Sequence, residues 1–286
     1  GTSRMRKKLD LTEQAFSKYT AYLRQEEREA STIEAYLRAV RSFAAWTDGR
    51  SVTKELAAAW KTYLQEKGYC PATVNAMLAA VNKFFTCMGR EDCKVKYLRL
   101  QRRMFRHAER ELTRAEYQRL LEAAAHKGDI RLHLLLETLC ATGVRVSELQ
   151  YITVEVARNG VAEVALKGKI RTILLPGKLC RKLLKYAKTQ KICSGTLFIT
   201  RSGRSLSRKY IWSEMKKLCA AAQVAPSKVF PHALRSLFAR TFYSACRDVV
   251  RLADILGHSS IETTRIYLLS TGKEYARQLD RLGLVS

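Results

Sequence analysis

The stretch Phe230-Pro231-His232-Ala233-Leu234-Arg235, with Leu252-Ala253-Asp254-Ile255-Leu256-Gly257-His258-Ser259-Ser260-Ile261-Glu262-Thr263-Thr264-Arg265-Ile266-Tyr267 after it, decides how the chain is read. Pro231 suits the first turn of a helix, where its missing N–H costs nothing. His232 and Arg235 then share one helical face and reach one target together. Gly257 stops the helix that ends at Ile255-Leu256. Ser259 and Glu262 fit a capping box, so a new helix starts after His258 and carries Tyr267 about two turns in. Arginine matches the oxygens of a phosphate with a planar fork of donors. Histidine passes protons near neutral pH, and tyrosine is a covalent nucleophile once its proton is removed.

Upstream, Ala141-Thr142-Gly143-Val144-Arg145-Val146-Ser147-Glu148-Leu149 closes an apolar helix with a glycine turn and presents Arg145. Glu148 is spaced to orient that arginine through a charge-assisted hydrogen bond. Ala165-Leu166-Lys167-Gly168-Lys169 puts a lysine at a hairpin tip. With these parts in this order, the chain resembles the tyrosine recombinases of the phage-integrase and Xer superfamily. That signature is a T-G-x-R-x-x-E-L box, a hairpin lysine, H-x-x-R, L-G-H, and a tyrosine nine residues after the last histidine. The resemblance spans the whole chain, most strongly residues 112–270. The chain departs from it at Ser236, where many relatives carry histidine, and at Arg240, where a small residue is common.

The resemblance implies a site-specific recombinase that cuts and rejoins DNA through a 3′-phosphotyrosyl intermediate. Tyr267 would be the nucleophile, and Arg145 and Arg235 the phosphate clamp. His258 would add a hydrogen bond, His232 would be the general base, and Lys167 the general acid, with Lys169 as the fallback. Glu148 would support Arg145. No cofactor and no metal is expected, since no carboxylate cluster and no Gly-rich phosphate loop is visible. The implied partners are double-stranded DNA with an inverted-repeat site and further copies of the chain, a tetramer on two duplexes linked by exchanged C-terminal tails. Two other readings stay open: a type IB topoisomerase, and a DNA-binding protein without catalysis.

Composition agrees with a nucleic-acid partner. The 286 residues carry a formal charge of +26 and are 47% hydrophobic, which supports real cores beside a polyanion-binding surface. No apolar run approaches the roughly 18 residues of a spanning helix. The eight cysteines show no C-x-x-C pair, which fits reduced thiols and a cytoplasmic location. Gly1 to Arg4 precede Met5 and read as a cloning remnant.

The expected fold is mainly α with a small three-stranded antiparallel sheet: a helical core-binding domain and a catalytic domain. Residues 9–98 hold four amphipathic segments, with stripes such as Phe16, Tyr19 and Leu23, or Val74, Leu78, Val81 and Phe85. Residues 99–111 form a basic linker in which Arg99, Arg102, Arg103 and Arg106 are DNA-binding candidates. Residues 112–286 form the catalytic domain and its tail helix. Strands are expected near 152–157, 161–166 and 170–175, with Asn159-Gly160 as a hairpin turn. Lys169, Arg171, Arg201, Arg204, Arg208 and Lys209 complete the DNA-binding candidates, the last four near the start of a helix over 207–222.

Overall fold

The computed structural model describes residues 8–100, 107–166, 168–258, 261–269 and 272–285. The chain divides into two compact units, Gly1–Arg102 and Arg103–Ser286.

In the first unit, helices α1 (Glu13–Gln25), α2 (Ala30–Thr47), α3 (Lys54–Glu66) and α4 (Pro71–Cys87) enclose one core. Local chemistry sets their starts. The Thr12 and Thr53 hydroxyls accept from the N–H groups of Ala15 and Leu56, and Pro71 opens α4. Tyr19, Phe43, Trp60, Phe84 and Phe85 are fully buried, with Phe43 and Trp60 edge to face at 5.1 Å between centroids. The buried Tyr19 hydroxyl donates to the Ala80 carbonyl at 2.7 Å. On α3 the buried stripe is Ala57, Trp60 and Leu64, while Ala59 faces solvent.

The second unit opens at Thr113, whose capping box with Glu116 starts α5 (Arg114–His126). Helix α6 (Ile130–Thr142) runs through the core, with Leu132, Leu134, Leu135, Leu136 and Leu139 all buried. A 3-10 turn follows over Val146–Tyr151. Here the expectation fails for one strand. Residues 154–159 form a short helix, α7 (Val154–Asn159), so the sheet has two strands and not three. The Thr153 hydroxyl accepts from the Val156 N–H, and Gly160 ends the helix at φ 77°. The Asn-Gly pair is therefore a helix stop, a role glycine fills as readily as a hairpin turn.

Strands β1 (Val161–Leu166) and β2 (Lys169–Leu174) pair antiparallel, with Val164 opposite Arg171 and Ala162 opposite Ile173. Helix α8 (Gly177–Thr189) covers the core beyond them. The helix expected over 207–222 is broken at Leu218 into α9 (Arg208–Lys217) and α10 (Cys219–Ala222), where the Leu218 N–H bonds to the Met215 carbonyl. Helix α11 (Pro231–Cys246) packs on α6. Then come α12 (Val249–Leu256), α13 (Ile261–Arg265), a 3-10 turn at Ile266–Leu268 and α14 (Gly272–Arg281). Arg240 has a role on α11: it pairs with Glu111 at 3.2 Å and donates to the Leu112 carbonyl at 2.8 Å. That fastens the entering chain to the helix. Among the described residues no helix is long and apolar enough to cross a membrane.

Candidate active site

The site is built where three helix ends meet. Helix α6 ends at Gly143, which has φ 69°; a Cβ there would lie 2.4 Å from the Phe238 ring on α11. Only glycine lets the α6 turn lie this close to α11. Arg235, on the same α11, is buried and spans the gap. Its Nη1 donates to the Gly143 carbonyl, and its Nη2 donates to the Leu256 carbonyl at 2.8 Å. Carbonyls at helix C-termini lack intrahelical partners and carry the negative end of the dipole, so a guanidinium is a natural cap.

Gly257 ends α12 at φ 72°, and the His258 N–H turns back to the Ala253 carbonyl at 2.9 Å. His258 Nε2 lies 3.3 Å from Arg235 Nη2, and its Nδ1 lies 2.8 Å from the Thr264 hydroxyl. Arginine only donates, so Nε2 accepts and the proton sits on Nδ1, facing Thr264. Thr264 is wholly buried on α13, three residues before Tyr267. The backbone of Tyr267 lies in the 3-10 turn Ile266–Leu268, past the end of α13 at Arg265, not two turns into a helix. Buried Leu269 holds this segment, and Leu268 packs against Ala239, Leu252 and Leu256.

Arg145 stands at the start of the 3-10 turn Val146–Tyr151. Its side chain is 45% exposed, 3.9 Å from Glu148. Glu148 does not hold that guanidinium by a short hydrogen bond, as the sequence led us to expect. Its Oε1 accepts from the Arg145 backbone N–H at 2.7 Å and from Arg171 Nη1 at 3.0 Å. Arg171 itself corrects a second expectation. As a DNA-facing cation it would be exposed; instead it is buried, on the inward face of β2 with Ile173. Strand alternation was the signal that marks it, since Ile173 and Leu175 share its parity.

His232 sits in the first turn of α11. Its residue surface is largely exposed, yet neighbouring atoms crowd the ring. That desolvation, with the charges of Arg235 and Arg145, holds its pKa below the ordinary 6.5. His258 is pushed further down, to about 4, by burial first and then by Arg235, Arg145, Arg171 and His232. Both imidazoles are thus neutral at pH 7, and His232 is ready to accept a proton. Arg145, Lys169, Arg171, Asp254 and His258 line an open cleft of about 800 Å³. Among the described residues no group of acids, histidines and cysteines has the arrangement of a metal site.

Lys167, Arg102, Arg103 and Arg106 lie outside the described residues, as does the side chain of Tyr267. Arg99 is exposed in the first unit. Arg201 and Arg204 are exposed on the turn closed by the Thr200 N–H and the Arg204 carbonyl. Arg208 and Lys209 are exposed in the first turn of α9, where no acidic residue offsets them. Cations at a helix N-terminus add to its positive potential, an arrangement suited to an anion. Trp212 is exposed on the same helix, stacked on Phe230 at 6.1 Å.

The phage integrase family matches residues 110–274, and the phage integrase N-terminal SAM-like domain matches residues 16–92. Tyrosine recombinase XerC of Roseiflexus castenholzii is 31% identical over 262 residues, covering 83% of this chain and 82% of the relative. The chain belongs to the phage integrase family. It is a tyrosine recombinase, an enzyme of DNA strand cleavage and rejoining. Tyrosine recombinase XerA of Pyrococcus furiosus is 28% identical over 282 residues, covering 96% of each chain. In fold, the recombinase is similar to a lambda integrase whose tetramer is bound to a Holliday junction, with TM-score 0.71, 17% identity, and 91% and 78% of the two chains covered. It is likewise similar to the Tn1549 transposon integrase, with TM-score 0.69, 19% identity, and 94% and 99% covered.

Proposed function

We propose that this recombinase cleaves DNA with Tyr267 and that Arg145, Arg235, His232 and His258 serve that one reaction. The observation that carries the reading is the convergence of Arg145, Arg235 and His258 at the joined ends of α6 and α12, with the Tyr267 segment tied to His258 through Thr264. In the reaction the Tyr267 oxygen attacks phosphorus, its proton passes to His232, and the bond from phosphorus to the 5′-oxygen breaks. The hairpin lysine, Lys167 with Lys169 as the alternative, protonates the leaving oxygen. Arg145 and Arg235 stabilise the charge that builds on the non-bridging oxygens. The phosphotyrosyl link keeps the energy of the phosphodiester, so a 5′-hydroxyl from a second duplex reverses the step and joins new partners.

The same proposal includes an inverted-repeat DNA site, residues 99–111 as a basic linker, and a tetramer formed by exchange of the C-terminal tail. The tail supports this by exposing Leu279, Leu282, Leu284 and Val285, an apolar surface that its own unit does not bury. A cytoplasmic location accords with the cysteines, all of them among the described residues and none in a disulfide. The decisive experiment is Tyr267→Phe on a nicked duplex that traps the cleaved state. The variant is expected to bind the site and to give no covalent adduct on a denaturing gel. A persisting adduct would assign the nucleophile to another tyrosine, with Tyr243 and Tyr275 the first to test.

A further inference from the structure

We propose that Arg171 is a positioning residue of the cleavage reaction: its buried guanidinium sets the spacing between the Arg145 turn, the His258 turn and the hairpin. The inference rests on the reading that Arg145 and His258 act on the scissile phosphate.

Three contacts from one side chain carry it. Arg171 Nη1 donates to Glu148 Oε1 at 3.0 Å, the same oxygen that accepts the Arg145 backbone N–H. Arg171 Nη2 donates to the Ile255 carbonyl at 3.3 Å, at the end of α12 and three residues before His258. The aliphatic stem lies across Gly257, where a Cβ would meet Arg171 Cδ at 2.6 Å. The glycine of the L-G-H turn is therefore needed for this crossing as well as for its positive φ. Arg171 and Arg235 together cap the last carbonyls of α12, one from the hairpin side and one from α11.

The energetics favour positioning over simple stabilisation. A buried ion pair recovers its desolvation cost only with good geometry and satisfied donors. Here Nε of Arg171 is buried with no hydrogen-bond partner among the described residues. An apolar side chain beside Ile173 would fill this inward strand position at lower cost. What it would lack is the rigid fork that reaches a carboxylate and a carbonyl at once. Lysine lacks it too, because one ammonium on a flexible stem does not span both acceptors in a fixed plane.

The test compares Arg171→Lys and Arg171→Met with Arg145→Ala in single-turnover cleavage of the nicked duplex. Both Arg171 variants are expected to bind DNA with the wild-type affinity and salt dependence and to reach full covalent amplitude. Their rate constants should fall between about ten- and a hundred-fold, the scale of misplacing a catalytic group by an ångström. A wild-type rate constant in a folded variant overturns the inference. So does a loss confined to amplitude, which marks a merely structural role, or a salt slope shallower by about one unit, which marks direct phosphate contact. If Arg171→Met does not fold, Arg171→Lys decides by the same readouts; failure of both to fold makes the residue structural and also overturns it. A wild-type rate in Arg145→Ala removes the underlying reading instead. Loss in Arg145→Ala beside wild-type rates in both Arg171 variants removes this inference alone.

Discussion

Arg145 and Arg235 carry the same charge in very different settings, so their removal separates chemistry from architecture. Arg145 is half exposed, and its side chain stands 3.9 Å from its carboxylate neighbour. Arg145→Ala should lower the cleavage rate by about two orders of magnitude, as expected for losing a group that stabilises transition-state charge. Its melting temperature should stay near wild type. Arg235 is buried and caps the ends of two helices. Arg235→Ala should lose the same rate and also unfold more readily, since each buried acceptor left without a donor costs about 1–3 kcal/mol. Paired thermal melts and single-turnover assays check both; equal melting temperatures would contradict the capping role. His258 adds a pH test. Its pKa of about 4 reflects burial and surrounding cations. A phosphate held among them, as proposed, would oppose that field and raise it. In the window between about 4 and the ordinary 6.5 the ring is neutral in the free protein, and a phosphate that lifts its pKa would protonate it on binding. DNA binding should therefore take up protons and strengthen as pH falls through that window. Calorimetry in buffers of different ionisation enthalpy reads the uptake, and its absence would place the phosphate away from His258.

At the scale of elements, the hairpin brings a lysine to the cleft, and the two candidates differ by register. Leu166 pairs with Lys169, so Lys169 belongs to β2, where it is exposed and lines the cleft with Arg145 and His258. If Lys167 is the general acid, Lys167→Ala slows cleavage at an ordinary 5′-oxygen. A 5′-bridging phosphorothiolate, whose sulfur leaves without a proton, restores the rate. Lys169→Ala should then show neither effect. Defect and rescue in Lys169→Ala alone would reassign the acid to the strand. The short α7 next to the hairpin shows why the neighbouring strand was misjudged. Val154 and Val156 favour a strand, but the Thr153 cap and Gly160 stop enclose six residues, enough for a helical turn and a half. Capping here outweighs β-branched preference.

For the whole molecule, the question is how protomers associate. The described part of α14 exposes Ala276 and Leu279, with exposed Leu282 just past its end, and a helix this short is marginal without a partner. Truncation after Gly272 should leave a folded protein that binds one DNA site. It should lose cooperative pairing on the full site and synapsis of two duplexes, read by gel shift and light scattering. Normal assembly by the truncated chain would show that the tail is not the link, and failure to fold would assign it to its own core.

The amino-acid sequence alone was enough for the helical class, the amphipathic stripes of the first unit, the capping box at Thr113, and the motif glycines beside Arg145 and His258; the box read at Ser259 lies outside the described residues. All of these depend on local rules: periodicity, side-chain capping and the positive φ that glycine tolerates. The small sheet was also legible, though its strand count was not. What only the tertiary structure decided lies between segments distant in sequence. Arg235 reaches Gly143 and Leu256 and fixes the tautomer of His258, and Glu148 turns to Arg171. A charged residue carries no mark of its partner in the linear text. Solvent and a buried helix end compete for the same guanidinium, and packing alone determines which of them it meets.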